Sequence, residues 1–210
     1  MCTADSLLFQ DDERQRTDHL ICGLHIDLKK QIFLGIIIGN ICFFVRKTEK
    51  DIFYIEKSEI YASLGKGVKT LEFICTNDGG NNIILLEAKT TCPNVDNKNE
   101  SREKTVKYNE YYLEITKKVE DSLQLLMAIL LRMYGILDCV GESFYRKIKL
   151  SSVKLKFILV ITSEHIRKEW LLGPKAELER SLLSLRKIWN LEIIVMNREL
   201  ANKYRLFVDS

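Results

Sequence analysis

VKTLEFICTNDGGNNIILLEAKTTCP, residues Val68 to Pro93, contains two apolar runs on either side of a polar, glycine-containing turn. The first run is Leu71 to Cys75 and the second is Asn82 to Lys89. Asn77 to Asn81, NDGGN, fills most of the gap between them. Runs of β-branched and aromatic residues around Asp-Gly and Gly-Asn predict a β-hairpin. Because both runs are apolar almost throughout, we expect strands that are buried on two faces.

Three charged residues, Glu72, Glu87 and Lys89, interrupt these apolar strands. A four-residue loop at Asp78 to Asn81 sets a register in which Glu72 lies opposite Glu87. Side chains alternate along a strand, so Lys89 points to the same face as Glu87, and Glu72 joins them there. The hairpin therefore predicts two carboxylates and one ammonium group on one face of a buried sheet.

Two carboxylates directly across a ladder, with β-carbons about 5 Å apart, repel each other. Burial increases this cost unless a cation lies between them. Mg²⁺ suits such a site, because it binds carboxylate oxygens, keeps several waters and shares its coordination with phosphate. Lys89 can then orient an attacking water or neutralise charge that develops on phosphate. The simpler alternative is a cross-strand ion pair between Glu and Lys near a sheet edge.

The strand-borne Glu87-x-Lys89, preceded by Glu72 on the neighbouring strand, resembles the core of the PD-(D/E)xK, or restriction-endonuclease-like, nuclease superfamily. The resemblance implies that Glu72 and Glu87 hold Mg²⁺, with Mn²⁺ as a substitute, and that Lys89 assists attack of water on a phosphodiester. This chain has Leu71-Glu72 where the family usually has Asp, often preceded by Pro.

A short helix is predicted just before the hairpin, from Ser58 as N-cap to Leu64. In the resembled family such a helix often donates an extra acid to the metal site, a role that Glu59 can fill. The alternative is a glutamate at a helix start that is favoured by the helix macrodipole.

The remaining pattern predicts an α/β protein with a central mixed β-sheet flanked by helices. The resemblance adds a restriction-endonuclease-like core at 57–200 with an N-terminal β extension at 20–56, within a single domain at 20–210. Residues 1–19 are expected to form a flexible arm or a loosely docked helix. The other predicted segments are two strands in Ile32 to Val45 and a short one at Ile52 to Ile55, a polar loop at 94–107, helices at Tyr108 to Gly135, Ala176 to Trp189 and Arg198 to Tyr204, and strands at Leu155 to Thr162 and Leu191 to Met196.

The long helix from Tyr108 has an apolar stripe that we expect to face the sheet. The stripe lies opposite a polar side that we expect to be exposed, formed by Glu114, Lys117, Lys118 and Asp121.

Five cations precede or begin the predicted strand at Leu155, and they form the densest basic segment of the chain. They suit contacts with a phosphate backbone, and they equally suit protection of a sheet edge from aggregation. The five are Arg146, Lys147, Lys149, Lys154 and Lys156.

Composition bounds the class of protein. A chain of 210 residues with 46% hydrophobic content can bury a sizeable core, and a formal net charge of +3 permits nucleic-acid binding without arguing for it. Ile32 to Val45 is too short and too interrupted by glycine to span a bilayer, so no membrane association is expected. Six scattered cysteines without C-x-x-C, and a polar N-terminus without a signal-peptide pattern, make a reducing cytoplasmic location the default.

Two functions follow from these expectations. The first is a metal-dependent nuclease that hydrolyses phosphodiester bonds of DNA or RNA, in restriction, repair or defence against phage. The alternative is a catalytically inactive nuclease-fold module that binds nucleic acid or a protein partner. The expected partners are nucleic acid and either a second copy of the chain or another subunit, and the apolar ribbon at 32–45 is the candidate dimer surface.

Overall fold

The computed structural model describes residues 33–38, 41–46, 52–76, 81–94, 97–134, 148, 152–163 and 166–204. The predicted N-terminal arm at 1–19 lies outside these ranges. The cations Arg146, Lys147 and Lys149 of the basic segment also lie outside them.

Seven strands and five α-helices make up the described structure, which is α/β as predicted. The strands are β1 (Phe33–Ile38), β2 (Ile41–Arg46), β3 (Ile52–Phe53), β4 (Phe73–Thr76), β5 (Asn82–Lys89), β6 (Lys154–Ile161) and β7 (Glu192–Asn197). The helices are α1 (Glu59–Leu64), α2 (Arg102–Leu130), α3 (Leu172–Ser181), α4 (Leu183–Trp189) and α5 (Arg198–Lys203).

The central sheet has five strands in the order β3-β4-β5-β6-β7. Strands β3, β4 and β5 pair antiparallel, whereas β5, β6 and β7 pair parallel. The sheet is therefore mixed, with β5 at the change from antiparallel to parallel pairing. This confirms the predicted mixed sheet and places the strand that carries Glu87 and Lys89 at its centre.

The N-terminal strands differ in part from the prediction. β1 and β2 form a separate antiparallel pair in which Phe33 lies opposite Arg46 and Ile38 opposite Ile41, which confirms the two predicted strands. β3 was expected to belong to the same N-terminal layer. It pairs instead with β4, with Ile52 opposite Cys75, and so belongs to the central sheet.

The register of the β4–β5 hairpin is the predicted one. Phe73 lies opposite Leu86 and Thr76 opposite Ile83, although the loop residues 77–80 lie outside the described ranges. Continuing this register outward by one residue puts Glu72 opposite Glu87. The predicted hairpin register is thus confirmed for Phe73 to Thr76, and Glu72 is the residue directly before β4.

One apolar cluster lies on each face of the sheet. Leu85 of β5 and Phe157 of β6 belong to the cluster that contains the buried residues of α2. Leu86 and Ala88 belong to the cluster on the other face. Because side chains alternate along β5, Glu87 projects to the face that α2 covers.

Helix α2 begins at Arg102, six positions before the predicted start and inside the segment that we expected to be a loop. The Ser101 side chain accepts a hydrogen bond from the backbone N–H of Lys104 at 3.2 Å, which caps the helix. Glu103 and Lys107 form an i,i+4 ion pair in the first turns. Capping and charge pairing therefore extend the helix through a sequence with no apolar stripe.

The smaller helices follow their local signals. Ser58 caps α1 by accepting from the backbone N–H of Tyr61 at 3.2 Å, and Asn197 caps α5 by accepting from that of Leu200 at 2.9 Å. The predicted helix at 176–189 is divided instead at Leu182 into α3 and α4.

We predict that Leu126→Ala lowers the free energy of unfolding by about 2–5 kcal/mol, because Leu126 is 0% exposed beneath the sheet and its truncation leaves a cavity. Leu113→Ala is the matched control on the same helix, since Leu113 is 70% exposed, and it changes the stability by about 0.5 kcal/mol or less. Chemical denaturation measures both. Equal losses in the two variants would contradict the described orientation of α2.

Candidate functional site

The site is centred on the carboxylate of Glu87, which is 1% exposed near the end of β5. Lys118 of α2 donates a hydrogen bond of 2.8 Å to Glu87 Oε1, and Lys89 Nζ lies 3.4 Å from the same oxygen. Glu56 Oε1, from the segment before α1, lies 3.7 Å from Lys118 Nζ. A carboxylate buried this deeply requires compensating charge, and the helix and its own strand both supply it.

A second ion pair crosses between strand and helix beside the first. Lys89 Nζ donates to Glu114 Oε1 at 2.9 Å, and Glu114 lies one helical turn before Lys118. Partial burial raises the pKa of Glu114, but the hydrogen bond and charge of Lys89 more than offset this, so the pKa is lowered. Glu87 and Lys89, two residues apart on β5, therefore pair with Lys118 and Glu114, which are four residues apart on α2.

Glu72, the residue directly before the neighbouring strand β4, completes the site. Its Oε2 atom is buried and has no hydrogen-bond partner among the described residues, and the same holds for Oε2 of Glu87. Buried polar atoms are nearly always partnered in folded proteins. Two unpartnered carboxylate oxygens on facing strands therefore form a place that suits a cation.

Helix α2 also fixes the backbone that leads into Glu72. The Ser122 hydroxyl accepts a hydrogen bond of 2.8 Å from the backbone N–H of Leu71, and the Asp121 carboxylate accepts one of 3.0 Å from that of Lys69. Lys117 in turn pairs with Asp121 at 2.8 Å. One helix therefore positions both strands of the site, because it anchors the approach to β4 and pairs with charges on β5.

Burial dominates the electrostatics of the two facing acids. It raises the pKa of Glu72 well above its usual value, the charge of Glu87 adds to this, and Lys118 opposes it. Burial also raises the pKa of Glu87, although Lys118 and Lys89 lower it in part. Burial lowers the pKa of Lys118, but Glu87 and Glu56 more than offset this, so the pKa of Lys118 is raised.

The residues present fit a divalent cation that keeps part of its water. Among the described residues, no group of three or more His, Cys, Asp or Glu side chains is arranged to hold a metal ion. Glu72 and Glu87 provide two carboxylates, and Mg²⁺ is commonly bound by one or two carboxylates together with waters and substrate phosphate. The site's four carboxylates and two ammonium groups leave a formal excess of two negative charges.

None of the remaining predicted residues that the structure describes pairs with these carboxylates. Glu59 is exposed on α1 and forms no ion pair with the described residues. Lys156 projects to the opposite face of the sheet, where it pairs with Glu192 at 2.9 Å. Lys154 is exposed at the start of β6, seven residues or about 23 Å from the end that pairs with Lys89. Contact of these lysines with nucleic acid stays a prediction, for a surface apart from the site.

Sequence reasoning missed Glu56, Glu114 and Lys118. We expected Glu114, Lys117, Lys118 and Asp121 on the exposed side of α2, and that was wrong for Lys118 and Asp121, whose side chains are 16% and 9% exposed. The available signal for Glu114 and Lys118 was their i,i+4 spacing directly before the core positions Ile115 and Val119. Two charges that border an apolar stripe lie at the edge of the buried face, where they can reach charges on the sheet.

A cavity of about 260 Å³ opens beyond Lys89, at the carboxyl ends of β5 and β6. Cys92, Pro93, Ile161, Trp170 and Pro174 are among its lining residues. Crevices at the carboxyl ends of parallel strands are the usual ligand sites of open α/β sheets. The cavity lies at the end of the sheet where Lys89 pairs with Ile161, and no charged side chain of the cluster is among its lining residues.

Comparison of the chain with protein-family models, curated proteins and solved structures found no match. None of the helices in the described ranges has the length and apolar character needed to cross a membrane.

We predict that Glu72→Gln stabilises the metal-free protein in alkaline but not in acidic solution. Because the pKa of Glu72 is raised on folding, its contribution to stability is complete at low pH and is lost as the pH rises through the folded-state pKa. In EDTA, the variant's melting temperature should exceed that of wild type by about 2 °C or more at pH 8, a shift of roughly 1 kcal/mol, and match it at pH 5.

The exposed Glu110 provides the control. The melting temperature of Glu110→Gln, relative to wild type, should be the same at both pH values. If Glu72→Gln changes the melting temperature by the same amount at both pH values, folding does not raise the pKa of Glu72.

Proposed function

We propose that the protein is a metal-dependent nuclease that hydrolyses phosphodiester bonds of DNA or RNA. One observation carries the proposal: Glu72, directly before β4, comes opposite Glu87 when the hairpin register is continued by one residue, each acid has a buried, unpartnered oxygen, and Lys89 follows Glu87 two residues later on the same face. Two acids and a lysine in this arrangement suit phosphoryl chemistry, in which negative charge must be neutralised and a water must be directed.

Each residue has a distinct role in this proposal. Glu72 and Glu87 would hold Mg²⁺, or Mn²⁺ in its place. When bound, the ion would supply Lewis-acid stabilisation of a phosphate oxygen and lower the pKa of a coordinated water. Lys89 keeps its ammonium group at the cluster through Glu114 and Glu87, where it can donate a hydrogen bond to the attacking water or to phosphate.

The sheet supports the resemblance to the restriction-endonuclease-like core. The two acid-bearing strands are antiparallel neighbours, a long helix follows the second of them, and the next strand pairs parallel to it. The chain differs from that core in one element and one residue. The core has the order αβββαβ, whereas β3 here precedes α1 instead of following it, and Glu72 stands where Asp is usual.

We predict that Lys89→Ala reduces cleavage by about 100-fold or more, the scale of losing one donor that stabilises transition-state charge. The measurement is cleavage of plasmid DNA, single-stranded DNA and RNA with Mg²⁺ or Mn²⁺. Lys107→Ala is the control, because Lys107 is an exposed, ion-paired lysine near the start of α2, and it should cleave like wild type.

Equal cleavage by wild type and Lys89→Ala would remove Lys89 from the mechanism. Absence of cleavage by wild type on every substrate would defeat the nuclease proposal.

One observation favours a second candidate, a module that binds nucleic acid or a protein partner without turnover. Glu87 already has Lys118 and Lys89 beside it, so its burial is compensated without any ion. This candidate predicts that nucleic acid binds equally well in EDTA and in Mg²⁺, without product, which a gel-shift assay on the same substrates distinguishes.

A further inference from the structure

Lys118 Nζ donates a hydrogen bond of 2.8 Å to Glu87, the carboxylate that would hold the ion. We propose that its ammonium group occupies the cation position of the metal-free site, and that a divalent ion binds by displacing it from Glu87 toward Glu56. This inference rests on the proposed metal site, and it defines a competition between one of the protein's own side chains and the ion.

The contacts of Glu87 establish the competition. Lys118 Nζ is 2.8 Å from Glu87 Oε1, while Oε2 of the same almost fully buried carboxylate has no hydrogen-bond partner in the described structure. The charge of Lys118 also acts on Glu72 across the hairpin. An ion held by both carboxylates would therefore meet an ammonium group at close range, and like charges repel strongly in a buried site.

Glu56 gives the displaced ammonium group a place to go. Its Oε1 atom lies 3.7 Å from Lys118 Nζ, and its side chain is 34% exposed against 1% for Glu87. A lysine has a long flexible stem, so a small change in its torsion angles exchanges one carboxylate partner for the other. Lys118 can therefore leave Glu87 and keep its ion pair with Glu56.

Lys89 is held differently, and the two lysines should not respond alike. Its hydrogen bond of 2.9 Å to Glu114 is shorter than its 3.4 Å separation from Glu87. Lys89 therefore has an anchor outside the carboxylate pair and can stay in place when an ion binds. Lys118, whose shortest contact is to Glu87 itself, has to move.

This competition gives Lys118→Met two effects of opposite direction. Without metal, the variant leaves a buried carboxylate with less compensation, so it should be less stable than wild type. With metal, it removes the competing charge, so the ion should bind more tightly. A lysine with a purely structural role would change the stability alone, and a lysine that assists the ion would weaken binding when removed.

The test is titration of Mn²⁺ into wild type, Lys118→Met and Lys107→Met by calorimetry, with thermal melts in EDTA. Lys118→Met should bind Mn²⁺ roughly 10-fold more tightly and melt at a lower temperature in EDTA; changes of about 10–100-fold are typical of mutations beside metal ligands. Lys107→Met alters an exposed lysine of the same helix, which pairs with Glu103 and has no contact with the site, and should bind like wild type. Equal or weaker binding by Lys118→Met would overturn the inference.

A second measurement uses the wild-type protein and does not depend on the stability of a variant. Acetylation of lysines by a succinimidyl ester, read by mass spectrometry, should be slow at Lys118 in EDTA and several-fold faster in saturating Mn²⁺. Lys117, which is 48% exposed, provides the internal reference and should not change. Unchanged labelling of Lys118 while Mn²⁺ binds would overturn the inference.

These readouts separate this inference from the proposed function. Tighter Mn²⁺ binding by Lys118→Met without any cleavage of nucleic acid would support the competition and defeat the nuclease. Equal affinities in wild type and Lys118→Met would defeat the competition and leave the metal site intact. Absence of Mn²⁺ binding in both proteins would defeat both.

Discussion

The burial of the Glu87 carboxylate is the constraint on which the rest of the described structure depends. An ionised carboxylate cannot be taken into an apolar sheet without charge compensation, and removing one member of a buried pair typically costs about 3–5 kcal/mol. Helix α2 therefore places Lys118 over β5 beside Glu87, and the Lys89 side chain lies close to Glu87, two residues earlier on the same strand. Against total stabilities of about 5–15 kcal/mol, the loss of such a lysine would therefore be a large change.

The same constraint links the fold to its candidate chemistry. Helix α2 contributes Lys118 and Glu114 to the charged cluster, and through Ser122 it fixes the backbone that precedes Glu72. The facing acids are held together although burial and mutual repulsion disfavour their charge. A protein that served stability alone would gain from an apolar pair at these two positions. Retaining two acids there is reasonable where a cation has to be bound.

The parts of the fold that depend on neighbouring residues could be predicted from the sequence. The hairpin register followed from the turn residues and the apolar runs, and the helix cap at Ser58 followed from a single polar side chain before a helical segment. The inward direction of Lys118 could not be predicted, because it depends on Glu87, 31 positions earlier in the chain. The pairing of β3 with β4 is non-local in the same way, since α1 lies between the two strands.

The central claim is that a cation belongs between Glu72 and Glu87. Anomalous diffraction from a crystal soaked in Mn²⁺ tests it most directly, because the scattering identifies the ion and locates it among the side chains. The account predicts a peak coordinated by one carboxylate oxygen from each glutamate, with water in the remaining positions. A map without that peak, in which Lys118 stays hydrogen-bonded to Glu87 at saturating Mn²⁺, would contradict it.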